Sequence, residues 1–194
     1  LKKRDLVLSK LINRCNKKNF LTRSSSSFQT LVNAIIGQQI SVSAATSIHN
    51  KINNMVGKIT PQNIKKTINK SLKHCGLSYQ KICYIKNIAE IYITNPSFFY
   101  QLKNLEDESV IKSLCKIKGI GEWTAQMYLI FQLNRPDVLP VGDLGFINSM
   151  TNIYKIKNKK NLLHIKKISN KWSPYKTVAV WYIWRIIDSD IVEY

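Results

Sequence analysis

The segment Lys116-Ile117-Lys118-Gly119-Ile120-Gly121-Glu122-Trp123-Thr124-Ala125 constrains this chain more than any other. Val110, Ile111 and Leu114 run into it on one side of a helix that starts near Asp107. Trp123, Ala125, Met127, Tyr128, Leu129, Ile130 and Phe131 leave it as a second helix, apolar nearly all round and therefore destined for burial. Two helices that meet at such a turn must fold back as a hairpin. Gly119 and Gly121 can both take positive φ, and neither places a side chain above the turn. The N–H groups that open the second helix are then exposed to an anion, and a nucleic-acid phosphate fits them. The same residues also read as a plain tight turn between two core helices, so the decision rests on the remainder of the chain.

Charge narrows the choice. Thirty Lys and Arg stand against eleven acids, a net charge of +19 on 194 residues, while 44% of the residues are hydrophobic. A foldable chain this basic expects a polyanionic partner, because neutralised phosphates release counterions. Abundant Lys, Asn and Ile also fit an AT-rich genome, but such a bias does not explain the shortage of acids. Cys15, Cys75, Cys83 and Cys115 are dispersed without a Cys-x-x-Cys pair, which implies neither a disulfide framework nor a zinc ribbon and fits an intracellular, reducing compartment. His74 beside Cys75, near Cys83, lacks a second ligand pair at metal spacing, so no metal site is expected. Charges interrupt the N-terminal apolar residues, so no signal peptide is read there. No apolar run reaches membrane-spanning length.

Along the chain the pattern is helical throughout. Leu6, Leu8, Leu11 and Ile12 give a short amphipathic helix after Asp5. Phe28, Leu31, Val32, Ile35 and Ile36 line one face of the next, with Ser27 as its expected cap. Ala44, Ile48, Ile52 and Met55 follow, capped by Ser41. Thr60-Pro61 starts a helix burying Ile64, Ile68 and Leu72 and ending at Gly76. Ser78 starts another, with Ile82, Ile85, Ile88 and Tyr92 inward. Asn95-Pro96 starts a short one carrying Phe98, Phe99 and Leu102. Leu162, Leu163, Ile165 and Ile168 face inward in a Lys-rich stretch whose Lys155, Lys157, Lys159 and Lys160 form a solvated face. Ser173-Pro174 caps a last helix with Tyr175, Val178, Trp181, Tyr182 and Trp184. No strand alternation or hairpin dipeptide occurs, and the expectation is an all-α fold.

Two places carry chemistry. Gln38-Gln39 sits at a helix–helix junction between apolar faces. An amide both donates and accepts, so it can meet base edges without a charge to desolvate; two surface glutamines are the plainer reading. The stretch Leu133-Asn134-Arg135-Pro136-Asp137-Val138-Leu139-Pro140-Val141-Gly142-Asp143-Leu144-Gly145 is shaped by two prolines and two glycines, and it delivers Asp143 just before Leu144, Phe146, Ile147 and Met150. An Asp there is an N-cap first, and a capping carboxylate at a cleft edge is also rigidly held.

Together these pieces resemble the helix-hairpin-helix (HhH-GPD) DNA glycosylases, and more closely their 3-methyladenine DNA glycosylase II branch. The stretches that carry the resemblance are LVNAIIGQQISVSAAT, KIKGIGEWTAQMYLI, RPDVLPVGDLG and WSPYKTVAVWYIW, spread from about residue 28 to 185. The resemblance implies two helical lobes flanking a cleft, one of residues 24–134 with the hairpin at 118–121, the other of 1–23 plus 135–194. It implies that a damaged nucleotide is flipped out of double-stranded DNA. Asp143 falls at the family's catalytic aspartate, Trp123 and Trp184 at pocket-wall aromatics, and Gln39 at the wedge that fills the emptied place. Gln38, Ser41, Lys118, Gly119, Gly121 and Thr124 fall among the DNA-binding positions. A third pocket aromatic of some members is replaced by Met127, with Tyr128 adjacent. Trp172 and Trp181 are assigned to the core.

The expected reaction is hydrolysis of the N-glycosidic bond of alkylated purines, leaving an abasic site. Such bases are cationic, attract an indole face, and leave without a strong general acid. One carboxylate then suffices to stabilise the sugar cation. Strand-cutting relatives carry a Lys where Trp123 stands, so a monofunctional enzyme is implied. With no Cys after Cys115, no iron–sulfur cluster is expected, and no further cofactor beyond a monovalent cation under the hairpin carbonyls. A monomer is expected. A glycosylase for uracil, mismatched or oxidised bases, and a non-catalytic DNA-binding module, remain the alternatives.

Overall fold

The computed structural model describes residues 1–15, 26–156 and 162–185. Among these residues all regular structure is helical. In chain order the helices are α1 (Leu6–Arg14), α2 (Ser27–Gly37), α3 (Val42–Val56), α4 (Pro61–Lys66), α5 (Asn69–His74), α6 (Tyr79–Thr94), α7 (Pro96–Leu102), α8 (Asp107–Cys115), α9 (Glu122–Phe131), α10 (Leu144–Ile153), α11 (Leu162–Ser169) and α12 (Lys176–Trp184), with a 3-10 turn at Asn170–Trp172. The contacts divide the chain into two compact units, one from Leu1–Arg23 and Asn134–Glu193, the other from Ser24–Leu133.

The first unit closes around Leu8, Phe146, Met150, Ile165, Trp172, Val180 and Ile183. Its N-terminal helix is fastened by Asp5. The Oδ1 of Asp5 caps α1 by accepting from the Val7 and Leu8 amides, both at 3.0 Å. Its Oδ2 accepts from Tyr154 Oη at 2.9 Å and from Trp172 Nε1 at 3.0 Å. Burial alone would raise the pKa of Asp5, but these four donors outweigh it and hold the pKa below the ordinary value. Trp172 and Trp181 are buried, as the sequence leads one to expect.

The second unit is built on α2, whose Phe28, Leu31, Val32, Ala34, Ile35 and Ile36 are all buried. It packs against α3, α6 and α9. The α8–α9 pair forms the hairpin. Tyr92 stacks on Phe99 with ring centroids 3.5 Å apart, which ties α6 to α7.

Several local expectations are corrected. Ser26, not Ser27, caps α2, its hydroxyl accepting from the Gln29 amide. The helix expected after Thr60 is two helices, α4 and α5, because Thr67 and Ile68 adopt extended backbone. The break turns Ile68 outward, and β-branched side chains at both positions favour it. Leu162 and Leu163 are exposed, and α11 buries Ile165 and Ser169 instead. Ser173-Pro174 is a cis peptide that precedes the last helix without capping it. Tyr175 occupies the cap position and is exposed. Lys155 is exposed as expected, while Lys157, Lys159 and Lys160 lie outside the described residues.

Candidate active site and nucleic-acid interface

In the first unit, α12 fixes the loop that carries Asp143 at both ends. At its start, Thr177 Oγ1 donates to the Arg135 carbonyl at 2.6 Å and accepts from the Val138 amide at 3.0 Å. The Thr177 amide donates to the Pro136 carbonyl at 2.9 Å. Asp137 accepts from Ser173 Oγ at 2.6 Å, from the Lys176 amide at 3.1 Å and from Lys176 Nζ at 3.0 Å. Burial pushes the Asp137 pKa up, yet the hydrogen bonds from Ser173 and Lys176 bring it below the ordinary value. None of these roles was read from the sequence, since each partner is about forty residues away.

At the far end of the loop, Asp143 is the N-cap of α10. Its Oδ1 accepts from the Phe146 amide at 2.6 Å and from Trp184 Nε1, at the end of α12, at 3.3 Å. The structure therefore brings Asp143 and Trp184 together, with the indole edge acting as a donor. A half-buried carboxylate oriented through one oxygen by a backbone amide and an indole N–H presents a fixed negative charge.

In the second unit the hairpin glycines differ. Gly119 has φ +101°, and a Cβ there would lie 2.2 Å from Cγ of Tyr84. Gly121 does not take the expected positive φ. Its backbone is extended, with φ −96° and ψ 178°, and a Cβ there would meet nothing within 4 Å. Gly121, the N-cap of α9, contributes no side-chain hydrogen bond to the first turn of the helix. Lys118 is exposed beside it.

The two glutamines part company. Gln38 turns inward, its Nε2 donating to Thr124 Oγ1 at 2.9 Å and to the Gly119 carbonyl at 3.2 Å. It clasps the hairpin to the end of α2. Thr124 is buried in that clasp. Both were expected at the DNA; here the Gln38 amide nitrogen and the Thr124 hydroxyl are engaged with each other within the protein. Gln39 is exposed and has positive φ. Ser41 is exposed and caps α3 through the Ala44 amide. Lys81, which sequence reasoning missed, donates to the Ile36 carbonyl at 2.7 Å and the Gln38 carbonyl at 2.8 Å. Its signal was visible: it lies four and seven residues before Ile85 and Ile88, on the buried side of α6. A polar recess of about 390 Å³ runs along Gln38, Gln39, Lys81, Tyr84, Gly119 and Gly121.

Trp123 is half-buried at the start of α9. Met127 and Tyr128, expected at a base pocket, are 0% and 1% exposed, so they offer no surface to a ligand. A helix that is apolar nearly all round buries nearly every face, and its phase does not reveal which residues line a site. His74 and Cys75 border a separate recess, and among the described residues no three His, Cys, Asp or Glu side chains form a metal cluster.

Residues 32–174 match the model of the HhH-GPD superfamily of base excision DNA repair proteins. The chain belongs to this superfamily. DNA-3-methyladenine glycosylase 1 of Schizosaccharomyces pombe is 34% identical over 163 residues, which cover 81% of this chain and 71% of that protein. A solved structure of an S. pombe 3-methyladenine DNA glycosylase in complex with abasic DNA is similar to the chain with a TM-score of 0.84 at 30% identity, covering 98% of this chain and 93% of that one. A DNA-3-methyladenine glycosidase from Bacillus halodurans gives a TM-score of 0.74 at 34% identity, covering 94% of this chain and 85% of that one. The helical HhH-GPD fold is thus the fold of this chain.

Proposed function

We propose that this chain is a monofunctional DNA glycosylase of the 3-methyladenine DNA glycosylase II kind, which releases alkylated purines from duplex DNA by hydrolysis and leaves an abasic site. The observation that carries this reading is the carboxylate of Asp143, aimed by the Phe146 amide and the Trp184 indole. Superfamily membership and relatives named for 3-methyladenine support the same chemistry.

A purine alkylated at N3 or N7 carries positive charge in its ring and departs with the bond electrons as a neutral base. The sugar left behind becomes cation-like at C1′. Asp143 opposes that charge and directs water to the carbon, and the proton lost by the water passes to solvent. Electrostatic stabilisation of this kind is worth roughly 3–4 kcal/mol in comparable sites. Trp123 supplies an aromatic face to the cationic base and no amine, so the chain forms no Schiff base and does not cut the strand. Gln39 fills the space of the extruded nucleotide, and the Gly119–Gly121 backbone takes a phosphate. The Gly119 carbonyl accepts the Gln38 amide through one of its two lone pairs, and the other would be open to a monovalent cation at the hairpin. We read the protein as acting as a monomer on DNA within the cell.

Asp143→Asn tests this reading. The amide oxygen can still cap α10, so the fold and DNA affinity should persist. Single-turnover base release from methylated duplex should fall by at least about 100-fold. Equal rates for the two proteins would remove Asp143 from the reaction. Binding without any release by the unmodified chain would leave only a DNA-binding module.

A further inference from the structure

The turn between α2 and α3 is held by groups outside itself. Residues 37–40 form a type II turn: Gln38 has φ −55° and ψ 125°, Gln39 has φ 58°, and the Ile40 amide faces the Gly37 carbonyl at 3.5 Å. The third residue of such a turn needs positive φ, which Gly or Asn ordinarily supplies. Here the position carries an exposed glutamine. A left-handed backbone is costly for a residue with a Cβ, and it persists only where the surroundings over-determine it.

Two clamps do so. The Gln38 side chain ties the turn to the hairpin through Gly119 and Thr124. Lys81 Nζ bonds the carbonyls of Ile36 and Gln38, on either side of Gly37. Lys81 is misplaced by local rules, since it lies in the first turn of α6, where the helix dipole disfavours a cation. Burial also lowers its pKa. Its ammonium instead meets the carbonyl end of α2, where a cation is favoured.

We propose that Lys81 is a positioning residue for Gln39: its two hydrogen bonds lock the α2–α3 turn in the left-handed form that holds the glutamine outward, set to enter a duplex as a nucleotide leaves. The role rests on the glycosylase reading for its purpose but not for its geometry. A wedge fixed before binding loses less freedom when it enters the stack. Lys81 therefore serves strand opening rather than bond cleavage.

The experiment is a double-mutant cycle of Lys81→Met and Gln39→Ala, read by 2-aminopurine fluorescence for opening and by single-turnover release for chemistry. Lys81→Met should slow opening and release on a paired duplex about tenfold, the scale of one strained backbone residue. Release of a base already unpaired in a bulge should stay near the unmodified rate. The double variant should be no worse than Gln39→Ala alone, because the lysine acts through the glutamine. Lys81→Arg, which keeps donors and charge, should recover part of the loss. Losses that add in full, or a salt slope of DNA affinity reduced by about one, would make Lys81 a phosphate ligand and overturn the proposal. Unchanged opening in Lys81→Met would overturn it as well. If no form releases base, the glycosylase reading fails, while the fluorescence cycle still decides the role of Lys81. If Lys81→Met does not fold, Lys81→Gln goes through the same cycle.

Discussion

At the scale of single residues, the two hairpin glycines separate structure from ligand approach. Gly119 combines a left-handed backbone with the Tyr84 ring pressed over it. Gly119→Ala should therefore cost about 1–2 kcal/mol for the backbone alone, more for the displaced ring, and lower the melting temperature. Gly121 is extended and faces open space. Gly121→Ala should melt within a few degrees of the unmodified chain, its main cost being a poorer cap, of order 0.5–1 kcal/mol. Its DNA affinity should nonetheless fall, because a methyl group would stand where a phosphate must come close. Calorimetry beside a binding isotherm checks both, and an unchanged affinity in Gly121→Ala would remove that approach. The sequence marked both glycines but could not tell them apart, since the pressure on Gly119 comes from Tyr84, a residue of another helix. The caps Ser41, Thr60, Ser78 and Asp143 were legible because each bonds an amide within three residues. The buried-side position of Lys81 was legible but its partners were not, and neither were those of Asp137, because packing between elements sets them.

At the scale of elements, α1 depends on one carboxylate. Asp5 joins residues 149 and 167 positions away through Tyr154 and Trp172, and no local pattern reveals such a link. Burial pushes its folded pKa up, but hydrogen bonds from Trp172, Tyr154 and two amides hold it below the ordinary aspartate value. A group of this kind stabilises the fold above its unfolded pKa, and the stabilisation is lost as pH falls through the folded value. The melting temperature should accordingly decline as pH drops below the ordinary carboxylate range. Asp5→Asn should flatten that acid limb and reduce stability at neutral pH by about 1–3 kcal/mol, since an amide nitrogen cannot accept the bonds that Oδ2 now takes. Thermal melts from about pH 6 to pH 2 test this, and an acid limb equally steep in Asp5→Asn would refute it. Helix existence was readable from periodicity, whereas the α4–α5 break and the outward Leu162 and Leu163 were not. The β-branched pair at the break only favours it, and the phase of α11 is set by the core that Ile165 joins.

At the scale of the whole molecule, a charge of +19 should dominate affinity for undamaged duplex. Binding should weaken with added salt along a log–log slope of about −4 to −9, corresponding to roughly five to ten phosphates neutralised. Single-turnover chemistry at saturating protein should change little over the same range. A slope near zero would assign the excess lysine to genome composition instead. The all-α class was available from periodicity, the superfamily from the resemblance of four stretches, and the capping place of Asp143 from its position at the end of the loop. The indole donor that helps aim the carboxylate was not, because Trp184 reaches it from 41 residues away.

The unit that contains the aspartate is assembled from both flanks of the chain, whereas the one that contains the hairpin is a single uninterrupted stretch. On a ribosome the hairpin unit emerges whole while Asp5 still waits for Tyr154 and Trp172, and Asp143 for Trp184. A nascent chain can thus present the hairpin before it can aim the carboxylate, and Asp143 is armed only once Trp184 has been made.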